Sequence, residues 1–155
     1  MGTIFWINNA LSLKLVQFSP KNFFCGEKSN IWKNHVAYNK QLVEFDGNLC
    51  VVDMYIDDER FYKLGHFLKA IRVKVYKLDQ EWGKWLYVKD LGDVSFVLGK
   101  DSNFALLARD YYGCEGNCTY FYCEDRTYCF NLENLEAKPA NIFWPCPTLF
   151  HSITS

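Results

Sequence analysis

At 155 residues and 50% hydrophobic content, the chain can bury one ordinary core, and its length fits a single domain, with no second independent one expected. Aromatic residues make up 18% of it, which favours strands, because Phe, Tyr and Trp bury large areas on a pleated surface. With 17 basic and 18 acidic residues spread along the chain, a net charge of −1 supplies no field to draw nucleic acid or an anionic membrane surface, so neither is expected as a partner.

The N-terminal run Met1 to Trp6 lacks a basic segment and is interrupted by Asn8-Asn9, so it is not expected to act as a signal peptide. Trp6 stands where a myristoylation motif needs Ser or Thr, and no apolar run approaches the ~20 residues of a membrane span. The expected location is therefore cytoplasmic or nuclear, with the seven cysteines as reduced thiols and Asn117-Cys118-Thr119 a chance glycosylation match.

Leu13 to Phe18 alternates as one strand, ended by Ser19-Pro20-Lys21-Asn22, and the rest of residues 1–39 carries no strong period. From residue 40 the apolar pattern has period two, with turn residues every eight to twelve positions. Gln41 to Phe45 and Asn48 to Tyr55 flank Asp46-Gly47, a pair able to take the positive φ angles of a tight hairpin. Ala70 to Leu78 alternates most clearly, with Ile71, Val73 and Val75 on one side and Arg72, Lys74 and Tyr76 on the other. A turn-rich connection then leads to Trp85 to Val88, and Gly92-Asp93 breaks the chain before Val94 to Leu98, where Val94, Phe96 and Leu98 share a face. Asn103 to Tyr111 fits either a short helix or a strand, and strand is preferred. Gly113 to Asn117 reads as a loop, Cys118 to Cys123 as a strand, Glu124-Asp125-Arg126 as a turn and Tyr128 to Leu132 as a further strand. Pro139, Pro145 and Pro147 punctuate an irregular tail around Ile142-Phe143-Trp144. Many short strands with neither a βαβ crossover nor a long helix imply an antiparallel all-β domain, either a sandwich, a barrel or propeller blades.

Chemistry-bearing patterns are sparse. Cys114, Cys118, Cys123 and Cys129 invite a metal, but they are not the close pairs of a zinc knuckle, and the odd offset of Cys118 and Cys123 on one strand sends their thiols to opposite faces. His35, His66 and His151 are scattered and form no nucleophile–base order. Asp57-Asp58-Glu59 lacks the glycine and distal glutamate of a calcium loop and reads as a solvated hairpin end. Gly113 to Asn117 has no following Lys-Ser or Lys-Thr and opens a strand, so it is a turn and no phosphate cradle. No catalytic, cofactor-binding or metal-binding residue is expected. Trp82, Trp85, Tyr87, Tyr111 and Tyr112 are candidates for an aromatic recognition surface, most of which the core will absorb.

A succession of short strings over residues 40–150 carries a resemblance. It includes Gln41-Leu42-Val43-Glu44, Gly47 to Val52, Val73 to Asp79, Lys84-Trp85 with Val88, Leu91-Gly92-Asp93, and Gly99 after Phe96. Gly113 to Phe121, Phe130 to Glu133 and Trp144-Pro145-Cys146-Pro147-Thr148 complete it in order. In these the chain resembles the plant F-box-associated KIB-type β-propeller proteins. The resemblance implies a protein-interaction module, the substrate-recognition propeller of a cullin-based, F-box-type ubiquitin ligase, non-enzymatic and without cofactor.

Residues 1–39 show no F-box-like helical stretch, so the ligase adaptor is expected as a partner only if an F-box lies upstream. A blade takes ~40–50 residues and closed propellers need ~4–8 blades, so about three four-stranded antiparallel blades are expected. Such an incomplete propeller would be prone to self-association through its open edges. The expected organisation is a poorly assigned segment 1–39, a propeller portion 40–150 and a tail 151–155. The candidate interaction loops carry Asp57, Asp58, Glu59, Trp82, Tyr111, Tyr112 and Glu115. The competing readings are a small-molecule or carbohydrate-binding β domain, or a degenerate paralogue without activity.

Overall fold

A computed structural model of the chain describes residues 4–6, 16–18, 38–65, 67–99, 102–123 and 126–140. The three histidines, the segment 141–155 and most of residues 1–37 lie outside them. Two short strands, β1 (Ile4–Trp6) and β2 (Val16–Phe18), pair antiparallel with Phe5 opposite Gln17. The second of these lies within the strand expected at Leu13 to Phe18.

The first full sheet has the order β3-β4-β5-β6 and is antiparallel throughout. Its members are β3 (Tyr38–Phe45), β4 (Asn48–Ile56), β5 (Ile71–Asp79) and β6 (Lys84–Val88). The β3–β4 hairpin closes as expected through Asp46 and Gly47, at φ 50 and 70, the left-handed pair that matches strand twist. Val52, Val75 and Val88 stand in one cross-strand row, so the alternation seen in sequence becomes one continuous apolar face.

The connection between β4 and β5 corrects the sequence reading. In place of a hairpin end it forms two short helices, α1 (Asp58–Leu64) and α2 (Phe67–Ala70). Asp57 is the N-cap of α1, its Oδ1 accepting the Arg60 N–H at 3.1 Å, and Glu59 pairs with Lys63 one turn on. Gly65, at φ 58, stops the helix in the left-handed conformation. With seven residues in α1 and four in α2, neither helix is long enough to show a 3.6-residue period.

The second sheet has the order β11-β10-β9-β7-β8, built from β7 (Val94–Leu98), β8 (Asn103–Leu107), β9 (Cys118–Cys123), β10 (Arg126–Asn131) and β11 (Glu136–Pro139). It departs from the expected four-stranded antiparallel blade in having five strands and one parallel pair, β7 with β9. The parallel pair needs no helical crossover: β8 has already carried the chain back to the starting end of β7, and a loop there delivers β9 to its other side. The ambiguous stretch from Asn103 resolves into both readings, strand to Leu107 and then a 3-10 turn over Ala108–Asp110. Arg126, expected in a turn, is the first residue of β10.

The sheets pack face to face through one cluster that contains Val43, Cys50, Val52, Met54, Ile71, Val73 and Val75 from the first sheet. The second sheet contributes Val94, Phe96, Leu98, Phe121, Tyr128 and Phe130. Phe96 and Phe130 are both fully buried, and Phe45 meets Phe96 edge-on at 6.0 Å between centroids. All five residues of β7 are buried, because its second face is covered too. That face belongs to a smaller cluster of Val97, Leu106, Cys118, Tyr120 and Cys129.

Phe96→Ala is expected to cost about 3–5 kcal/mol, since neighbours on two sheets cannot close over the cavity. Chemical denaturation of the variant would measure it, and a loss below about 1 kcal/mol would mean that the two sheets do not share this core.

Candidate functional site

Strand directions sort the candidate loops into two groups. Asn103, at the start of β8, donates through Nδ2 to Gln41 Oε1 at 2.8 Å and to the Leu42 carbonyl at 3.1 Å, tying the β8 edge of the second sheet to the β3 edge of the first. The ends of β4, β7 and β9 and the start of β5 meet around one cleft. That end holds α1 and α2. The opposite end carries the turns at Asp46-Gly47 and 80–83, the loop 108–117 and the turn after β10. Of the sequence-selected residues, Trp82, Tyr111, Tyr112 and Glu115 therefore share one end, and Asp57, Asp58 and Glu59 sit at the other.

Two residues of the acidic trio are engaged locally: Asp57 caps α1 and lies 3.7 Å from the Arg60 guanidinium, and Glu59 is paired with Lys63. At the opposite end the aromatic residues are displayed. Tyr112 is 97% exposed and Trp82 68%, while Trp85 packs beneath the sheet against Leu49 and Leu78. The turn under Trp82 is held by Asp79 Oδ1, which accepts the Glu81 and Trp82 N–H groups at 3.0 and 3.3 Å. Gln80 also donates to the Gly47 carbonyl at 3.3 Å, tying two turns together.

The loop bearing Tyr111, Tyr112 and Glu115 is anchored through Asn117. This residue sits at φ 56, a left-handed conformation that Asn tolerates. Its N–H donates to the Val94 carbonyl, its carbonyl accepts the Leu132 N–H, and its Oδ1 accepts the Leu91 N–H, each at 2.9 Å. The neighbouring Gly116 lies so close to the chain that a Cβ would come within 2.8 Å of the Gly92 carbonyl oxygen and 3.1 Å of Asp93 Cα. Ser95 Oγ donates to the Glu115 carbonyl, and the Tyr120 hydroxyl accepts the Glu115 N–H at 2.9 Å. The string Gly113 to Asn117 is thus a turn, as expected, but a rigid one locked to β7 and β10.

Beneath this loop the structure assembles a group that sequence spacing did not suggest. The donor atoms of Glu115, Cys118 and Cys129 all lie within 4.8 Å of one another. Tyr120 is opposite Cys129 in the β9–β10 register, which makes Cys118 and Cys129 diagonal neighbours on one face. Cys123 packs against the other cluster, as its odd offset requires. A hydrogen bond from the Cys118 thiol pulls the Cys129 thiol below its ordinary range, and the same bond pushes Cys118 up. Lys138, opposite Cys129 across β10 and β11, pairs with Glu115, whose hydrogen bond raises the lysine above its usual range. The signal that could have found this group is strand register, which spacing along the chain does not contain.

The cleft at the helix-bearing end is about 250 Å³ and is lined by Met54, Ile56, Phe67, Leu98 and Phe121 among others. Typical small-ligand sites run from about 300 to 1,000 Å³ with convergent polar groups. The cleft falls a little below that size range. Among the described residues, no helix is long and apolar enough to cross a membrane.

Two packed, mainly antiparallel sheets presenting aromatic residues on anchored turns define the class: an all-β scaffold. The family model described as KIB1-4 beta-propeller matches residues 1–143, and the chain belongs to that family. The match takes in the N-terminal 39 residues, where the sequence patterns were weakest. Among its relatives in Arabidopsis thaliana, one named a probable F-box protein is 37% identical, over 86% of this chain and 35% of its own length. Two named F-box proteins are each 32% identical, over 77% and 84% of this chain and 34% and 35% of their own lengths. The chain thus spans about a third of the length of the curated relatives it matches. No solved structure gives a significant match.

Gly116→Ala is expected to destabilise the chain by about 1–3 kcal/mol, because its Cβ meets backbone that cannot rotate away. A denaturation midpoint equal to that of the unsubstituted chain would show that the loop does not pack as described.

Proposed function

We propose that the chain is the substrate-recognition part of an F-box-type ubiquitin-ligase receptor, a non-enzymatic module that binds a partner protein through the end carrying Trp82, Tyr111 and Tyr112. The observation that carries this reading is the display of Tyr112 and Trp82 in water on turns whose backbones are pinned. Large aromatic residues held in place contribute contact area with little ordering entropy, which is why they dominate interface hot spots. Family membership and the F-box names of the relatives agree with it. The ligase adaptor would be a partner only if an F-box lies upstream.

Asp57, Asp58 and Glu59 lie at the other end of the strands and are not part of this surface. A second copy of the chain is a weaker candidate partner. The outer strand β6 offers exposed Leu86 and Tyr87, but it is only five residues long and begins at Lys84.

The test uses a partner recovered from plant extract by the immobilised chain and then purified. Trp82→Ala combined with Tyr112→Ala should weaken its binding at least tenfold, about 1.4 kcal/mol or more, by calorimetry. Because both side chains are exposed, the melting temperature should stay unchanged. Undiminished binding by the folded double variant would overturn the assignment of this end.

A further inference from the structure

We propose that Glu115, Cys118 and Cys129 form a binding site for a borderline-soft divalent cation of the zinc type, with both cysteines ligating through Sγ and Glu115 through a carboxylate oxygen. The proposal is independent of the partner-binding surface. It rests on where two strands and one loop bring their donor atoms.

Tetrahedral zinc with Zn–S distances of about 2.3 Å holds two thiolates roughly 3.8 Å apart. The three donor atoms here already lie within 4.8 Å of one another, so ligation asks only for side-chain adjustment. The cysteines come from the interiors of β9 and β10, where pairing fixes their backbones, and Glu115 from the loop locked by Asn117, Ser95 and Tyr120. Both thiols are buried, with Cys118 at 0% and Cys129 at 1% exposure, while the Glu115 side chain is 46% exposed. An ion would enter from the Glu115 side, and a water would take the fourth position there.

Charge selects the ion. Binding releases the two thiol protons to solvent, leaving two thiolates and one carboxylate around a dication. The resulting single negative charge is matched by the Lys138 ammonium, which already pairs with Glu115. Around the sulfurs, Asn131 Nδ2 lies 3.7 Å from Cys118 Sγ and is placed to donate to the thiolate. Calcium and magnesium demand oxygen ligands, and iron–sulfur clusters take four protein ligands, either four thiolates or two thiolates with two histidines, so neither suits two sulfurs and one oxygen.

The experiment titrates the purified chain, kept reduced by a non-thiol reductant, with cobalt(II) and then zinc. The expected result is a thiolate-to-cobalt charge-transfer absorption that saturates at about one ion per chain and is bleached by stoichiometric zinc. Cys118→Ser and Cys129→Ser should abolish it. Glu115→Gln changes an exposed side chain and should leave the fold intact while weakening the apparent affinity about tenfold or more. Cys50→Ser, in the other sheet, should leave the absorption as it is. No charge-transfer band in the unsubstituted chain, an unchanged affinity in Glu115→Gln, or a band lost in a folded Cys50→Ser would each overturn the proposal.

Discussion

The contact on which everything else in this molecule depends is the face-to-face packing of its two sheets around Phe96 and Phe130. Neither sheet could stand alone, because the apolar faces of β4 and β5 and of β7, β9 and β10 have each other as their cover. Phe96 meets Phe45 across that boundary, and Phe121 stacks on Tyr128 at 5.8 Å within the second sheet. This single apolar layer sets which ends of the strands lie together. It thereby decides which loops can act as one surface.

The two ends are built by different means. At one end, α1 and α2 bridge β4 and β5 with local devices: an Asp cap, an i,i+4 ion pair and a left-handed glycine. At the other, the loops are held by long-range bonds, from Gln80 to Gly47, from Asn117 to Val94 and from Leu132 to Asn117. A loop bonded to strands distant in sequence keeps its backbone while its side chains remain in water. Tyr112 and Trp82 are in that condition, and a recognition surface needs it to spare binding the cost of ordering.

The second sheet also brings two thiols and a carboxylate together. Cys50, buried in the first sheet, has its thiol pushed up to about 11 by burial and stays inert. Cys118 and Cys129 differ, since each has the other's sulfur as a neighbour and both lie beside a carboxylate. A pair of thiols with a carboxylate and a lysine across three strands is unusual for a face that otherwise packs Val97, Leu106 and Tyr120. The same register that pairs Tyr120 with Cys129 brings the group together, so its geometry is a by-product of how the blade pairs.

Period-two alternation made β3 and β5 legible, because a strand with one face more buried than the other must alternate whatever it packs against, whereas β4 and β7, buried on both faces, were legible as short apolar runs bounded by turn residues. The Asp46-Gly47 turn and the punctuation at Gly92 and Gly113 were legible for the same local reason, a positive φ that few residues accept. The resemblance in those strings led to the family that the chain belongs to. Helices α1 and α2 were not legible, being shorter than two periods of any helical pattern. The parallel pairing of β7 with β9, the sharing of one end by Trp82 and Tyr112, and the meeting of Glu115 with Cys118 and Cys129 were decided by tertiary structure alone. The physical reason is one of range. Alternation and turn chemistry are properties of neighbours along the chain, whereas register and the choice of strand partner come from burying two apolar sheets against each other.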